Sequence, residues 1–179
     1  MRPDAHAPLS IRAAAAADAD ALWAILHAVI ARGDTYVFDP ATPRAEALGY
    51  WLQPAHRCHV AVHDGRVVGT YVLKANHRDL GAHVANAAFM VAPDARGIGV
   101  GRRMGEHCLA EATRQGFRAM QFNFVVSTNV TALRLWQDLG FAIVGTLPGA
   151  FRHPDKGFVD AFVMFRTLGE RDGAAPERR

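Results

Sequence analysis

"MVAPDARGIGVGRRMGEHCLAEA", residues 90–112, places glycines at positions 97, 99 and 101. Glycine in a helix costs about 1 kcal/mol relative to alanine, so three in alternation at a helix start need a cause. The apolar run before them, "HVANAAFMVAP", reads as a strand stopped by Pro93. After them the pattern is helical from about Gly99 to Gln115. Met104, Cys108, Leu109 and Ala112 share one face, and Gly116 is the C-cap. A strand that passes through glycines into a helix builds an anion site, because the helix N-terminus has free N–H groups and a partial positive charge. Arg96, Arg102 and Arg103 add charge. The segment predicts a phosphate or pyrophosphate held between Arg96 and Arg102.

The flanking sequence supplies alternating elements. "LSIR" reads as a short strand. Leu22, Trp23, Ile25, Leu26, Val29 and Ile30 follow at helical spacing, and Gly33 stops them. "DTYVFDPATP" is a loop, and "RAEALGYWL" a shorter helix before Pro54. "CHVAVHDGRVVGTYVLKA" is a hairpin turning at Asp64-Gly65. "FRAMQFNFVVS" is a strand. "NVTALRLWQDLG" is a helix capped by Thr128 or Asn129 and ended by Gly140. "FAIVGTLP" and "GFVDAFVMFRTL" are the last strands, joined by a turn at Pro154–Gly157. No repeat or linker interrupts this order. Residues 1–168 read as one α/β domain around a mixed sheet, followed by a polar, flexible tail over 169–179.

Composition narrows the function class. The 179 residues are 50% hydrophobic and 21% charged, as in ordinary globular proteins, with a formal charge of +3 and a pI of about 9.2. The basic residues are scattered, so no nucleic-acid stripe is present, and no stretch reaches membrane-spanning length. The two cysteines, Cys58 and Cys108, form no disulfide framework, which favours a reduced cytoplasmic setting. The nine histidines show no metal-ligand spacing, and no metal is expected.

Spacing separates the phosphate-binding motifs. A P-loop requires Lys-Ser or Lys-Thr after the glycines, and none follows. In a dinucleotide fingerprint the third glycine would fall on Arg102 or Met104. Arg96-Gly97-Ile98-Gly99-Val100-Gly101 instead resembles R/Q-x-x-G-x-G/A, the coenzyme A signature of the GCN5-related N-acetyltransferase family. Asn129, Ala132, Leu135 and Leu139-Gly140-Phe141 are similar to a second segment of that family, N-x-x-A-x-x-L-[YW]-x-x-L-G-F. The resemblance spans roughly Val60 to Leu168.

This resemblance implies a single domain whose mostly antiparallel sheet splays between its two middle strands, and acetyl-CoA as cosubstrate. It implies direct acetyl transfer to an amine, often in a homodimer. Arg96 to Arg102 would hold the cofactor, with Asn129 on the pantetheine arm as well as at the N-cap. A backbone N–H of Met90 or Val91 would stabilise the oxyanion. The family's acid, a tyrosine before "GF", is replaced by Trp136, whose indole is no proton donor at neutral pH. Its frequent glutamate base is missing from "HVANAAFMV", where Asn86 and Phe89 stand, with His83 as an alternative base.

Alternation along "MQFNFVV" puts Gln121, Asn123 and Val125 on one face and Met120, Phe122 and Phe124 on the other. A buried asparagine there needs a partner. Asn86 with Phe89, then "NFVVSTN" and "LRLWQDLGF", resemble acetyltransferases that modify proline analogues such as azetidine-2-carboxylate. There, asparagines at the matching positions hold the substrate. The resemblance therefore nominates Asn86, Asn123 and Asn129, beside Phe89, with deprotonation through water held by the amides. Tyr36, Phe38 and Asp39 are expected to shape the acceptor pocket, with "LPGAFRHPDKG" closing its other side and His153 solvated. A small-molecule amine is the expected acceptor. A protein or peptide amine, or a non-catalytic acyl-CoA sensor, are the alternatives.

Overall fold

A computed structural model describes residues 9–169. The expected tail therefore lies outside the described residues, apart from Gly169. The elements are β1 (Ser10–Ala13), α1 (Ala19–Ile30), α2 (Arg44–Trp51), β2 (Arg57–His63), β3 (Arg66–Ala75), β4 (Val84–Val91), α3 (Val100–Arg114), β5 (Ala119–Val126), α4 (Val130–Asp138), β6 (Ala142–His153) and β7 (Gly157–Thr167). Asp64 and Gly65 both have positive φ, as a two-residue hairpin turn requires.

One seven-stranded sheet runs in the order β1-β2-β3-β4-β5-β7-β6. Every pairing is antiparallel except β4 with β5, which is parallel because α3 crosses between them. That parallel pairing holds only two residue pairs, Val84↔Ala119 and Ala85↔Met120. Beyond them the middle strands part, as the family resemblance implied.

Helices cover both faces. Trp51 of α2 donates through Nε1 to Thr70 Oγ1 of β3 at 3.0 Å, which places α2 over the face that carries Thr70. On the opposite face, Val100 and Met104 of α3 pack onto Gly69, where an added Cβ would lie 2.8 Å from Val100 Cγ1. The core between the layers includes Leu22, Leu26, Trp51, Leu73, Met90, Met104, Met120 and Met164, each under 2% exposed or at 2%. Burying each such side chain contributes roughly 1.5–3 kcal/mol.

The C-terminal end departs from expectation. The segment 147–153 continues β6 rather than forming a loop. The register passes from Leu147↔Ala161 to Phe151↔Val159, so residues 148–150 bulge opposite Asp160. Pro148 has no N–H for the ladder, and the bulge takes it out of pairing. Asp160 Oδ1 accepts the Gly149 N–H at 2.8 Å. The turn at residues 154–156 is where the sequence placed it.

Candidate active site

The three glycines differ in cause. Gly97 (φ 86°) and Gly99 (φ 84°) occupy the left-handed region, and a Cβ on either would meet nothing within 4 Å. Gly101 has no positive φ; its Cβ would lie 3.3 Å from Leu135 Cδ2 of α4. The first two shape a loop with open space beside it, whereas the third lets two helices approach.

The first helical bond of α3 runs from Arg103 N to Gly99 O at 3.1 Å. The amides of Val100, Gly101 and Arg102 precede it and point out of the N-terminus. The Val100 side chain is buried, so it offers this opening only its backbone, while Ile98 is exposed. Arg96 is exposed beside the loop. The Arg102 guanidinium is taken up by Asp138 of α4 at 2.7 Å, a surface ion pair, leaving its amide to face the opening.

The parting of β4 from β5 exposes one edge of β4. Asn76 N bonds to Val84 O and Ala92 N to Val68 O, with an unbroken register between them. Alternation from these fixed points turns the amides of Asn86, Ala88 and Met90 toward β3. The amides of Phe89 and Val91 face the opening. Of the two oxyanion donors named from the resemblance, Met90 is therefore engaged within the sheet and only Val91 faces the cleft. Phe89 joins it. The resemblance located the strand but not which edge each residue presents.

The loop between α1 and α2 reaches this edge. Tyr36 donates its hydroxyl to Phe89 O at 2.6 Å and accepts from Phe89 N at 3.0 Å. Burial raises the Tyr36 pKa, so the phenol stays neutral. Its ring lies 6.5 Å from Phe38, which meets Tyr50 edge-on at 5.2 Å. Asp39 instead serves the loop itself, accepting the Ala41 N–H at 2.8 Å. Tyr36 and Phe38 line a cavity of about 590 Å³ whose other wall is Ala150 to Pro154. That wall belongs to the segment expected opposite the Tyr36 loop, and it is a bulged strand. His153 in that wall is buried rather than solvated, with Nδ1 accepting the Asp155 N–H at 3.1 Å.

Asn76, Asn86 and Asn123 lie on the α2 side of the sheet, whereas Asn129 starts α4. Asn86 stands at the parting and donates through Nδ2 to Gln121 O of β5 at 2.9 Å. Gln121 Nε2 donates to Asn123 Oδ1 at 2.8 Å, and Asn123 Nδ2 to Asn76 Oδ1 at 2.7 Å. Asn123 is exposed, not buried, because β4 has parted from β5 on one side and β5 bulges against β7 on the other. Val125 leaves the face assigned by alternation, since β5 advances three residues from Phe122 to Val125 while β7 advances two. Asn76 was missed; it lies just past β3, and only the register carries it to Asn123.

Asn129 caps α4, its Oδ1 accepting the Ala132 N–H at 3.2 Å. Trp136 is buried, 4.7 Å from Phe89 and 4.8 Å from Phe122, ring to ring. The Phe89 side chain thus belongs to an aromatic cluster under α4, on the face opposite the amides. His83 is exposed beyond the paired start of β4, away from the parting.

Residues 23–141 match the Acetyltransferase (GNAT) family. The chain belongs to this family. It is 30% identical over 151 residues to the N-acetyltransferase aca1 of Schizosaccharomyces pombe, covering 75% of this chain and 72% of that protein. A GCN5-related N-acetyltransferase from Kribbella flavida superposes with a TM-score of 0.86 at 44% identity, covering 89% of this chain and 98% of the other. A phosphinothricin acetyltransferase from Sinorhizobium meliloti, solved with acetyl-CoA, shares the fold with a TM-score of 0.80 at 22% identity, covering 94% and 92%. As a GNAT acetyltransferase this chain is an acyltransferase. Among the described residues no group of three or more His, Cys, Asp or Glu could hold a metal ion, and no helix is long and apolar enough to cross a membrane.

Proposed function

We propose that this GNAT enzyme transfers the acetyl group of acetyl-CoA to the amine of a small molecule or amino-acid analogue, by direct attack in a ternary complex. The observation that carries the reading is the parting of β4 from β5 after two residue pairs, beside the amides of Val100, Gly101 and Arg102. The pyrophosphate lies on those amides, near Arg96, Gly97, Ile98 and Gly99, and Asn129 borders the pantetheine arm. The thioester carbonyl lies along the open edge of β4, where Val91 N–H faces it and Phe89 N–H becomes available if Tyr36 yields.

The amine nitrogen attacks the carbonyl carbon, a C–N bond forms, the C–S bond breaks and the thiolate leaves. A thiol pKa of about 8.5 makes that departure feasible without an acid, which suits the burial of Trp136 among aromatic rings. The amine proton passes to water held by Asn86 and Asn123. The cavity of about 590 Å³ between Tyr36, Phe38 and the wall from Ala150 to Pro154 has the size of a small-molecule site. Free Cys58 and Cys108 suit a reducing cytoplasm, and the exposed Ile143, Val144 and Phe158 of β6 and β7 suit a homodimer.

The test is thiol release from acetyl-CoA across amines that include proline, azetidine-2-carboxylate, phosphinothricin and polyamines, with peptides in parallel. A small amine should turn over, and Asn123→Ala should abolish turnover while acetyl-CoA still binds. Turnover of peptides alone would overturn the small-molecule reading, and silence with tight acetyl-CoA binding would favour a sensor.

A further inference from the structure

We infer that Lys74 is the anchor for a carboxylate on the acceptor, so that the molecule acetylated is an amino or imino acid rather than a plain amine. The inference rests on the small-acceptor reading above and adds the residue that selects the substrate.

Lys74 lies on β3 directly opposite Asn86 of β4, and therefore on the same face as the amide row. It is half-buried, and its ammonium sits 5.7 Å from the centre of the Tyr50 ring. It has no hydrogen bond or ion pair among the described residues. An anionic ligand would give this ammonium the counter-charge it has from no described residue.

The surroundings are short of an acceptor in the same way. Asn76, two residues along the same face, keeps a buried Nδ2 with no partner, although its Oδ1 is bonded to Asn123. The row therefore ends in amide donors and one ammonium, and a carboxylate supplies two oxygens to such a set. No aspartate or glutamate stands in it. His56 is the other basic group here; burial first, then the Lys74 charge, lowers its pKa, which favours the neutral imidazole. Tyr50 and Phe38 give an apolar wall for the acceptor's hydrocarbon, continuous with Tyr36 at the open edge of β4.

The test compares matched acceptors, azetidine-2-carboxylate with its carboxamide and proline with prolinamide, on wild type, Lys74→Met and Lys74→Arg. Lys74→Met should raise KM for the acids about 30-fold, as loss of a charged hydrogen bond implies, with kcat little changed and the amides unaffected. Lys74→Arg should restore much of the loss. Equal KM for the acids in wild type and Lys74→Met, or amides preferred by wild type, would overturn the inference. Calorimetric titration of azetidine-2-carboxylate into the CoA-loaded protein reads Lys74 without turnover. Binding that weakens in Lys74→Met upholds the anchor even if no acetylation occurs, which would sink the catalytic reading alone. Absence of binding to wild type would overturn the anchor.

Discussion

Tyr36 and Phe89 are joined by two hydrogen bonds through one hydroxyl, which donates to the Phe89 carbonyl at 2.6 Å and accepts from its amide at 3.0 Å. A loop side chain thus occupies the polar groups that β4 would have shared with β5 had the two strands stayed paired. Tyr36→Phe leaves both groups without a protein partner. The expected loss is about 2 kcal/mol, a fall in unfolding midpoint of roughly 6 °C by calorimetry. Acetyl-CoA should bind this variant no more weakly than wild type, because a donor on the open edge is released. Weaker binding would mean that the tyrosine itself contacts the cofactor.

Gly99 and Arg102 should separate backbone from side chain in cofactor binding. Gly99→Ala forces a Cβ onto a residue with φ of 84°, beside open space that the ligand would use. It should weaken acetyl-CoA binding by roughly tenfold or more. Arg102→Gln loses an exposed pair to Asp138 and should change affinity by no more than about threefold. Titration calorimetry on both variants decides the point, and the reverse ranking would assign the phosphates to the guanidinium.

Trp136 is predicted to matter for packing and not for proton transfer. Trp136→Phe should cost about 1–2 kcal/mol from its contacts with Phe89 and Phe122. The rate of acetyl transfer should stay within about fivefold. A hundredfold loss in kcat at unchanged stability is the signature of a lost proton relay, and would contradict the assignment.

Asp18 links stability to pH. Hydrogen bonds from Arg12, at 2.7 and 2.8 Å, lower its pKa to about 2 against the opposing effect of burial, with help from the Ala15 amide. A folded pKa below the unfolded value means the stabilisation is present above about pH 4 and is lost as pH falls toward 2. Arg12 is half-exposed, so the contribution is discounted to roughly 1–2 kcal/mol. Asp18→Asn should lower the unfolding midpoint at pH 7 and flatten its decline between pH 4 and 2. An unchanged acid profile would show that Arg12 and Asp18 contribute nothing net.

Much of this was legible along the chain. Helical spacing from Leu22 to Ile30, Asp64-Gly65 between two apolar runs, and the alternating glycines before Met104 each depend on neighbours within a few residues. The backbone angles of Gly97 and Gly99 belong to that class, as does the N-cap at Asn129. These features follow from local sterics and hydrogen bonding, which a short segment carries within itself.

The site belongs to the other class. Nothing near Asn123 in the sequence names Asn76, forty-seven residues away, as its partner. Nothing near Met90 says that its amide turns toward β3 while those of Phe89 and Val91 face the cleft. Those outcomes depend on strand register, on the bulges at Phe122–Val125 and Leu147–Phe151, and on where β4 and β5 separate. The chain alone determined that a strand, a glycine turn and a helix would follow one another in a mixed sheet. The tertiary structure decided which edge of β4 is open and which amides face it, because a one-residue change of register would turn the other set of amides toward the cleft.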